Sequence, residues 1–372
     1  MNSKRFSKRA KRLADTILTH SLSVKKGDKL LISASDFSSE ELLSPLYYKA
    51  LKLGAIVHLD IFGSNFQVGR ADYGDFLNDY YEIADKNQLR NVDVYKLLAD
   101  WADKSVKIIS IHDKNHLADI DSQKIAVRQK VLRPVSDITI SKPWCLTYYP
   151  TTALAVNSGL SIPDFTEFYY NACNVDYMEM DKELLPLQVI LDKGKIIEIK
   201  GNNIDLKLDI SNRLSLGVDN GKHNIPDGEC FIGPVEDKTE GFVKFELPQI
   251  YNGKEFENIY LQFKAGKIVK LQCDNDQKSL EQILNSDKGN KRLGEFGIGM
   301  NKNITKYIKD ILFDEKIYGS VHFALGMSYP YKRGGGKNKA SIHWDMVKDL
   351  RHKESIIKVD GIAIFKDGQL TI

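Results

Sequence analysis

Cysteine is scarce: Cys145, Cys173, Cys230 and Cys273 are scattered over 372 residues, and no two form a C-x-x-C pair. That spacing gives no zinc-finger signal and suits free thiols in a reducing compartment. Long apolar runs are missing too. The longest, such as Lys107-Ile108-Ile109-Ser110-Ile111, are strand-sized, so the reading expects no bilayer-spanning segment. Charge of one sign is absent in bulk: 53 basic against 50 acidic side chains leave a net +3, which argues against nucleic acid or an anionic membrane as the main partner. The basic start (Lys4, Arg5, Lys8, Arg9, Lys11, Arg12) is not followed by an apolar core, so no secretory leader is expected. Instead Phe6, Ala10, Leu13, Ala14, Ile17 and Leu18 fall at helical spacing. These absences together point to a cytoplasmic protein.

What is present is the composition of a globular chain, 42% hydrophobic and 28% charged, in a length that suggests two domains. The first half alternates helix and strand. Leu30 to Ala34 reads as a strand, Ser38-x-x-Glu41 as a capping box opening a helix that stops at Gly54, and Ala55 to Phe62 as the next strand. Val106 to Ile111 and Trp144 to Tyr149 read as further buried strands, so residues 1–185 are expected to form a doubly wound α/β domain.

Past Pro186 the segments become short, alternating and separated by Gly, Asn and Asp turns. Gln188 to Lys200, Ile204 to Ile210, Phe242 to Phe245, Ile259 to Phe263, Lys267 to Cys273 and Ser320 to Leu325 read as strands. Ser279 to Ser286 and Asn303 to Leu312 read as helices. Residues 186–372 are therefore expected to form a mainly antiparallel β domain. No internal repeat and no low-complexity linker interrupt the chain.

Histidine is rare, with eight in all, yet His322 and His343 fall within one short stretch beside Tyr329 and Asp345. In a strand, residues two apart share a face, so His343 and Asp345 would present an imidazole and a carboxylate together. A borderline cation such as zinc or cobalt accepts nitrogen and oxygen donors, whereas calcium and magnesium favour oxygen alone. The ordinary alternative is a β-hairpin with two unremarked histidines. Two more carboxylates enter apolar surroundings. Glu229 follows the Pro226-Asp227-Gly228 turn, and Glu295 is the lone charge in Leu293-Gly294-Glu295-Phe296-Gly297-Ile298-Gly299. A buried charge is costly unless it is paired or binds a metal, which makes both candidates. Three carboxylates, two imidazoles and a phenol are too many donors for one zinc and about right for a pair of ions.

These blocks (NIPDGE, LGEFGIGMN, GSVHFALGMSYP and GGKNKASIHWDM, in that order) resemble the metallo-aminopeptidases of the aminopeptidase T and aminopeptidase S group, the M29 family. Weaker likeness runs upstream through SVKKGDKLLI, PWCLTYYPTTALA and GNNIDLKLDI. The resemblance implies that Glu229, Glu295, His322, Tyr329, His343 and Asp345 ligate two divalent ions, which would be zinc, cobalt or manganese. It further implies a metal-bearing C-terminal domain, a homodimer, and removal of the N-terminal residue from peptides by a hydroxide shared between the ions. Tyr329 would then either ionise beside the metal or donate a hydrogen bond to the tetrahedral oxyanion. The chain departs from the family at the basic insert Tyr331-Lys332-Arg333 and at Leu154, where the family usually has tryptophan. A two-metal phosphoesterase or other metallohydrolase is the alternative. No His-Glu-x-x-His helix exists, which removes the thermolysin-like route.

Overall fold

Short runs of Leu, Ile and Val make the parallel sheet of the first unit. In the computed structural model, which describes residues 5–61, 75–113, 120–214, 217–329 and 335–372, the chain divides into two compact units. The first is Met1–Asn174 with Gly221–Pro226, and the second is Val175–Asn220 with Asp227–Ile372. Lys4, Phe62 and the insert Tyr331-Lys332-Arg333 lie outside the described residues.

The sheet of the first unit runs in the order Ile56–Ile61, Lys29–Ala34, Lys104–Ser110, Trp144–Tyr149, Asn224–Ile225, with every pairing parallel. The strand Lys29–Ala34 is buried at every position after its first, as expected for a sheet covered on both faces. Lys8–Asp15 is an α-helix and Thr16–Ser21 a π-helix, and together they bury Ala10, Leu13, Ala14, Ile17 and Leu18. The capping box expected at Ser38 does not form. The Asp36 carboxylate takes the Ser38 N–H at 2.8 Å and opens a 3₁₀ turn, Phe37–Ser39. The helix then runs Glu40–Lys52. Glu41, the other half of the expected box, instead accepts from Ser7 and Arg9.

In the second unit an eight-stranded sheet and a five-stranded sheet share one apolar core. Its first helix, Tyr177–Lys193, buries Leu184, Leu187 and Leu191 in that core. The strand expected from Gln188 therefore begins only at Ile196, because three leucines at helical spacing outweigh the β-branched run beside them. The chain passes into the second unit at Val175, ahead of the expected 185, since this helix packs with the strands that follow it. The helix expected over Asn303 to Leu312 is also replaced. The Asp314 carboxylate captures the N–H groups of Ile308 and Asp310 at 2.7 and 2.8 Å, leaving only a short helix, Ile311–Asp314. Ser279 to Ser286 does lie almost wholly in a helix, Gln277–Asn285.

Candidate metal centre

The five-stranded sheet runs His343–Asp349, Ser320–Gly326, Leu293–Gly299, Glu229–Ile232, Gly217–Asp219, all antiparallel. Its two faces have opposite chemistry. One carries Cys230, Ile232, Phe296, Ile298, Val321, Phe323, Leu325, Trp344 and Met346, all in the core of the unit. The other carries the charged donors, because residues directly opposite in the ladder share a face. Ala324 stands opposite both Glu295 and Asp345, Gly326 opposite His343, His322 opposite Gly297, and Glu229 opposite Gly299 and Asp219. A bulge between Leu293 and Glu295 sends Leu293 to the core and Glu295 to the donor face. Small residues on the donor face make room. A Cβ built on Gly297 would overlap the His322 imidazole.

Of the six residues expected as donors, Glu229, Glu295, His322, His343 and Asp345 lie together on this face, and the Tyr329 ring lies beside His343. Glu295 Oε1 lies 3.2 Å from His322 Nε2, and Glu229 Oε2 lies 3.3 Å from the same nitrogen. His343 Nε2 is 3.3 Å from Asp345 Oδ1. Donor atoms of Glu295, His322 and Asp345 fall within 4.8 Å of one another. Tyr329 follows the His322 strand, in a segment tied by Met327 N–H to Ile342 O and Ser328 N–H to Asn338 O. Its ring centre is 4.9 Å from that of His343.

Both imidazoles are oriented from behind. His322 Nδ1 faces the Glu315 carbonyl at 3.2 Å, and His343 Nδ1 faces the Met327 carbonyl at 2.7 Å. A carbonyl only accepts, so Nδ1 must carry a proton, and each Nε2 is left facing the carboxylates. The segment before Glu229 is fixed by Asn301, whose amide donates to Asp227 O at 2.8 Å, and by Met300 N–H to Gly228 O at 2.9 Å.

Electrostatically the face is short of positive charge. Burial pushes the Glu229 carboxyl well above its ordinary range despite Lys316 and His322, and burial raises Glu295 despite its hydrogen bond to His322. Burial works against both imidazolium ions. For His322 the Glu229 charge and the Glu295 hydrogen bond outweigh it, and for His343 Asp345 does. Both are held at about 10. Burial would also raise Asp345, but His343 holds it below the usual carboxylate range. Tyr329 is pushed up by burial and by the Glu295 and Asp345 charges. Glu229 Oε2 and Asp345 Oδ1 are buried without a well-angled hydrogen-bond partner. Such carboxylate oxygens beside imidazole Nε2 atoms, whose protons a bound cation would displace, fit divalent cations chemically.

Four neighbours of these donors were not foreseen as part of the site. Glu315 offers an oxygen within 4.8 Å of Glu229 and His322, and Lys316, fully buried, pairs with both Glu229 and Glu315. Asp219 and Asp227 form a further acidic group with Glu229. In sequence, Asp314-Glu315-Lys316 reads as an ordinary solvated charge run. Its only signal is the apolar strand a few residues later.

A family model described as Thermophilic metalloprotease (M29) matches residues 6–370. Aminopeptidase 2 of Geobacillus stearothermophilus is 31% identical over 160 residues, covering 39% of this chain and 37% of that protein. AmpS of Bacillus subtilis is 32% identical over 150 residues, covering 39% and 35%, and aminopeptidase T of Thermus thermophilus is 29% identical over 164 residues, covering 40% and 38%. Each match thus spans little more than a third of the relative's length. The solved structure of wild-type AmpT from Thermus thermophilus superposes with a TM-score of 0.78 at 19% identity, covering 98% of this chain and 99% of that one. A 2,5-dihydroxypyridine dioxygenase from Pseudomonas putida KT2440 superposes at 0.59 with 15% identity, covering 97% and 96%. Two differently named enzymes on one architecture make these likenesses statements about fold. The near-complete span of the family match decides membership: this chain belongs to the M29 family of thermophilic metalloproteases.

Proposed function

We propose that the chain is a metal-dependent aminopeptidase that removes the N-terminal residue of peptides, with Glu229, Glu295, His322, His343 and Asp345 holding two divalent cations and Tyr329 beside them as a hydrogen-bond donor. The observation that carries this reading is the convergence on one sheet face of donors from four separate strands, with both imidazoles locked from behind by carbonyls. The names of the relatives support the same reaction class. A cation pair would supply Lewis acidity and lower the pKa of a shared water toward neutrality, and zinc, cobalt and manganese suit mixed nitrogen and oxygen donors.

The chain's own residues do the rest. Glu295 or Glu229, both buried on the donor face, is the group placed to take a proton from water and return it to the leaving amine. Tyr329, its ring beside that of His343, would serve as an O–H donor to a developing oxyanion. A substrate's neutral α-amine is a nitrogen donor of the same kind as the imidazoles, which restricts cleavage to the chain end. A homodimer working in the cytoplasm belongs to the same proposal, and mass in solution and cell fractionation test it.

Chelation is expected to abolish release of the chromophore from an aminoacyl anilide, and added zinc, cobalt or manganese to restore it. An N-acetylated anilide should resist cleavage. Full activity in exhaustively demetallated protein rejects the reading, and rapid cleavage of the acetylated substrate rejects the exopeptidase part of it. Hydrolysis of a phosphate ester in place of the anilide would transfer the site to the phosphoesterase alternative.

A further inference from the structure

Lys316 is a whole lysine side chain with no exposure, set against a candidate metal ligand. Burying an ammonium costs several kcal/mol unless close anions compensate, so its partners define its purpose. Its Nζ lies 3.4 Å from Glu229 Oε1 and also pairs with Glu315 Oε1. The opposite oxygen of Glu229, Oε2, is the one that faces His322 Nε2 at 3.3 Å and lacks a well-angled hydrogen bond. The carboxylate is therefore divided: one oxygen is held by a fixed cation and the other is left for the site.

Glu315 sits close enough to compete, with an oxygen inside the 4.8 Å grouping of Glu229 and His322. Its backbone is already used, since its carbonyl accepts from His322 Nδ1. The turn carrying both residues is itself anchored. Lys316 N–H donates to Phe313 O at 3.0 Å, and Lys316 O accepts from Asn301 N–H at 2.9 Å. One short turn thus orients His322 through a carbonyl and Glu229 through an ammonium. A carboxylate free at both oxygens can clasp a cation with two, as carboxylates do around calcium. One already ion-paired offers a single oxygen.

We propose that Lys316 is a positioning residue that restricts Glu229 to ligation through Oε2 and withholds the Glu315 carboxylate from the metal set. This rests on the reading of Glu229 and His322 as ligands. Removal of the ammonium would free Glu229 Oε1 and the Glu315 carboxylate together, and the coordination number at that ion would rise.

Cobalt(II) tests this directly, because its visible absorption weakens as coordination rises from four toward six. In full-length protein loaded with cobalt, K316M is expected to retain bound metal with at least a twofold loss of visible absorption per ion. E315Q is expected to keep the wild-type spectrum and metal count, since its carboxylate stands outside the set. A K316M spectrum identical to wild type overturns the proposal, and so does loss of an ion in E315Q. If K316M does not fold, E315Q still decides. Wild-type protein that binds no cobalt would instead defeat the two-cation reading, so the two failures are distinguishable.

Discussion

Gly297 illustrates how much of the site depends on what is missing from a residue. Its Cα faces the His322 ring, and the space of a methyl group is already filled by that imidazole. G297A should displace His322 from Glu229 and Glu295 while leaving the core face intact, because Phe296 and Ile298 point the other way. Disturbing the support of a ligand typically costs about 10–100-fold in metal affinity. Chelator competition on G297A should show a loss of that order with unchanged far-ultraviolet circular dichroism; wild-type affinity would remove His322 from the ligand set. Tyr329 is argued to donate a proton-bearing oxygen, so Y329F should keep both ions and lose about 10²–10³ in kcat, as removal of an oxyanion donor does elsewhere. Metal analysis alongside steady-state kinetics separates this from a ligand's role, in which ions would be lost with activity.

At the level of elements, charges that look like helix caps turn out to bind parts of the chain distant in sequence. In the first unit Glu41 accepts from Ser7 at 2.8 Å, from Arg9 at 3.0 and 3.1 Å, and from Tyr149 at 3.2 Å, joining two helices to a strand end. Burial would raise its pKa, but Arg9 and Ser7 hold it below the ordinary glutamate value of 4.5. A depressed carboxyl stabilises the folded state above its unfolded pKa and loses that contribution as pH falls through the lower folded value. E41Q should cost about 1 kcal/mol at pH 7 after solvent screening is discounted. The difference from wild type should close below about pH 4 in urea unfolding. A constant difference across that range would contradict the assignment.

Much of this level was readable in advance. Trp144 to Tyr149 and Ile259 to Phe263 fall inside strands because alternation and buried runs survive folding. Glu229 and Glu295 stood out because a lone charge in an apolar strand needs a partner. What was illegible depended on competition at a distance. Asp36 took the Ser38 N–H, Asp314 unwound the expected 303–312 helix, and Lys316 looked like solvent charge until the fold buried it.

On the scale of the molecule, the second unit uses one sheet for two purposes. The register that buries Phe323, Phe296 and Trp344 in the core also fixes His322, Glu295 and Asp345 on the opposite face, so stability and chemistry are specified together. Chains of one fold perform many reactions, and the proposed function therefore rests on that donor face rather than on the architecture. Anomalous scattering from crystals grown with zinc addresses it most directly. The account predicts two peaks about 3.5–4 Å apart, each within about 2.0–2.2 Å of donors drawn from Glu229, Glu295, His322, His343 and Asp345. A single peak, or zinc seated among Asp219, Asp227 and Glu229 away from the imidazoles, would contradict it.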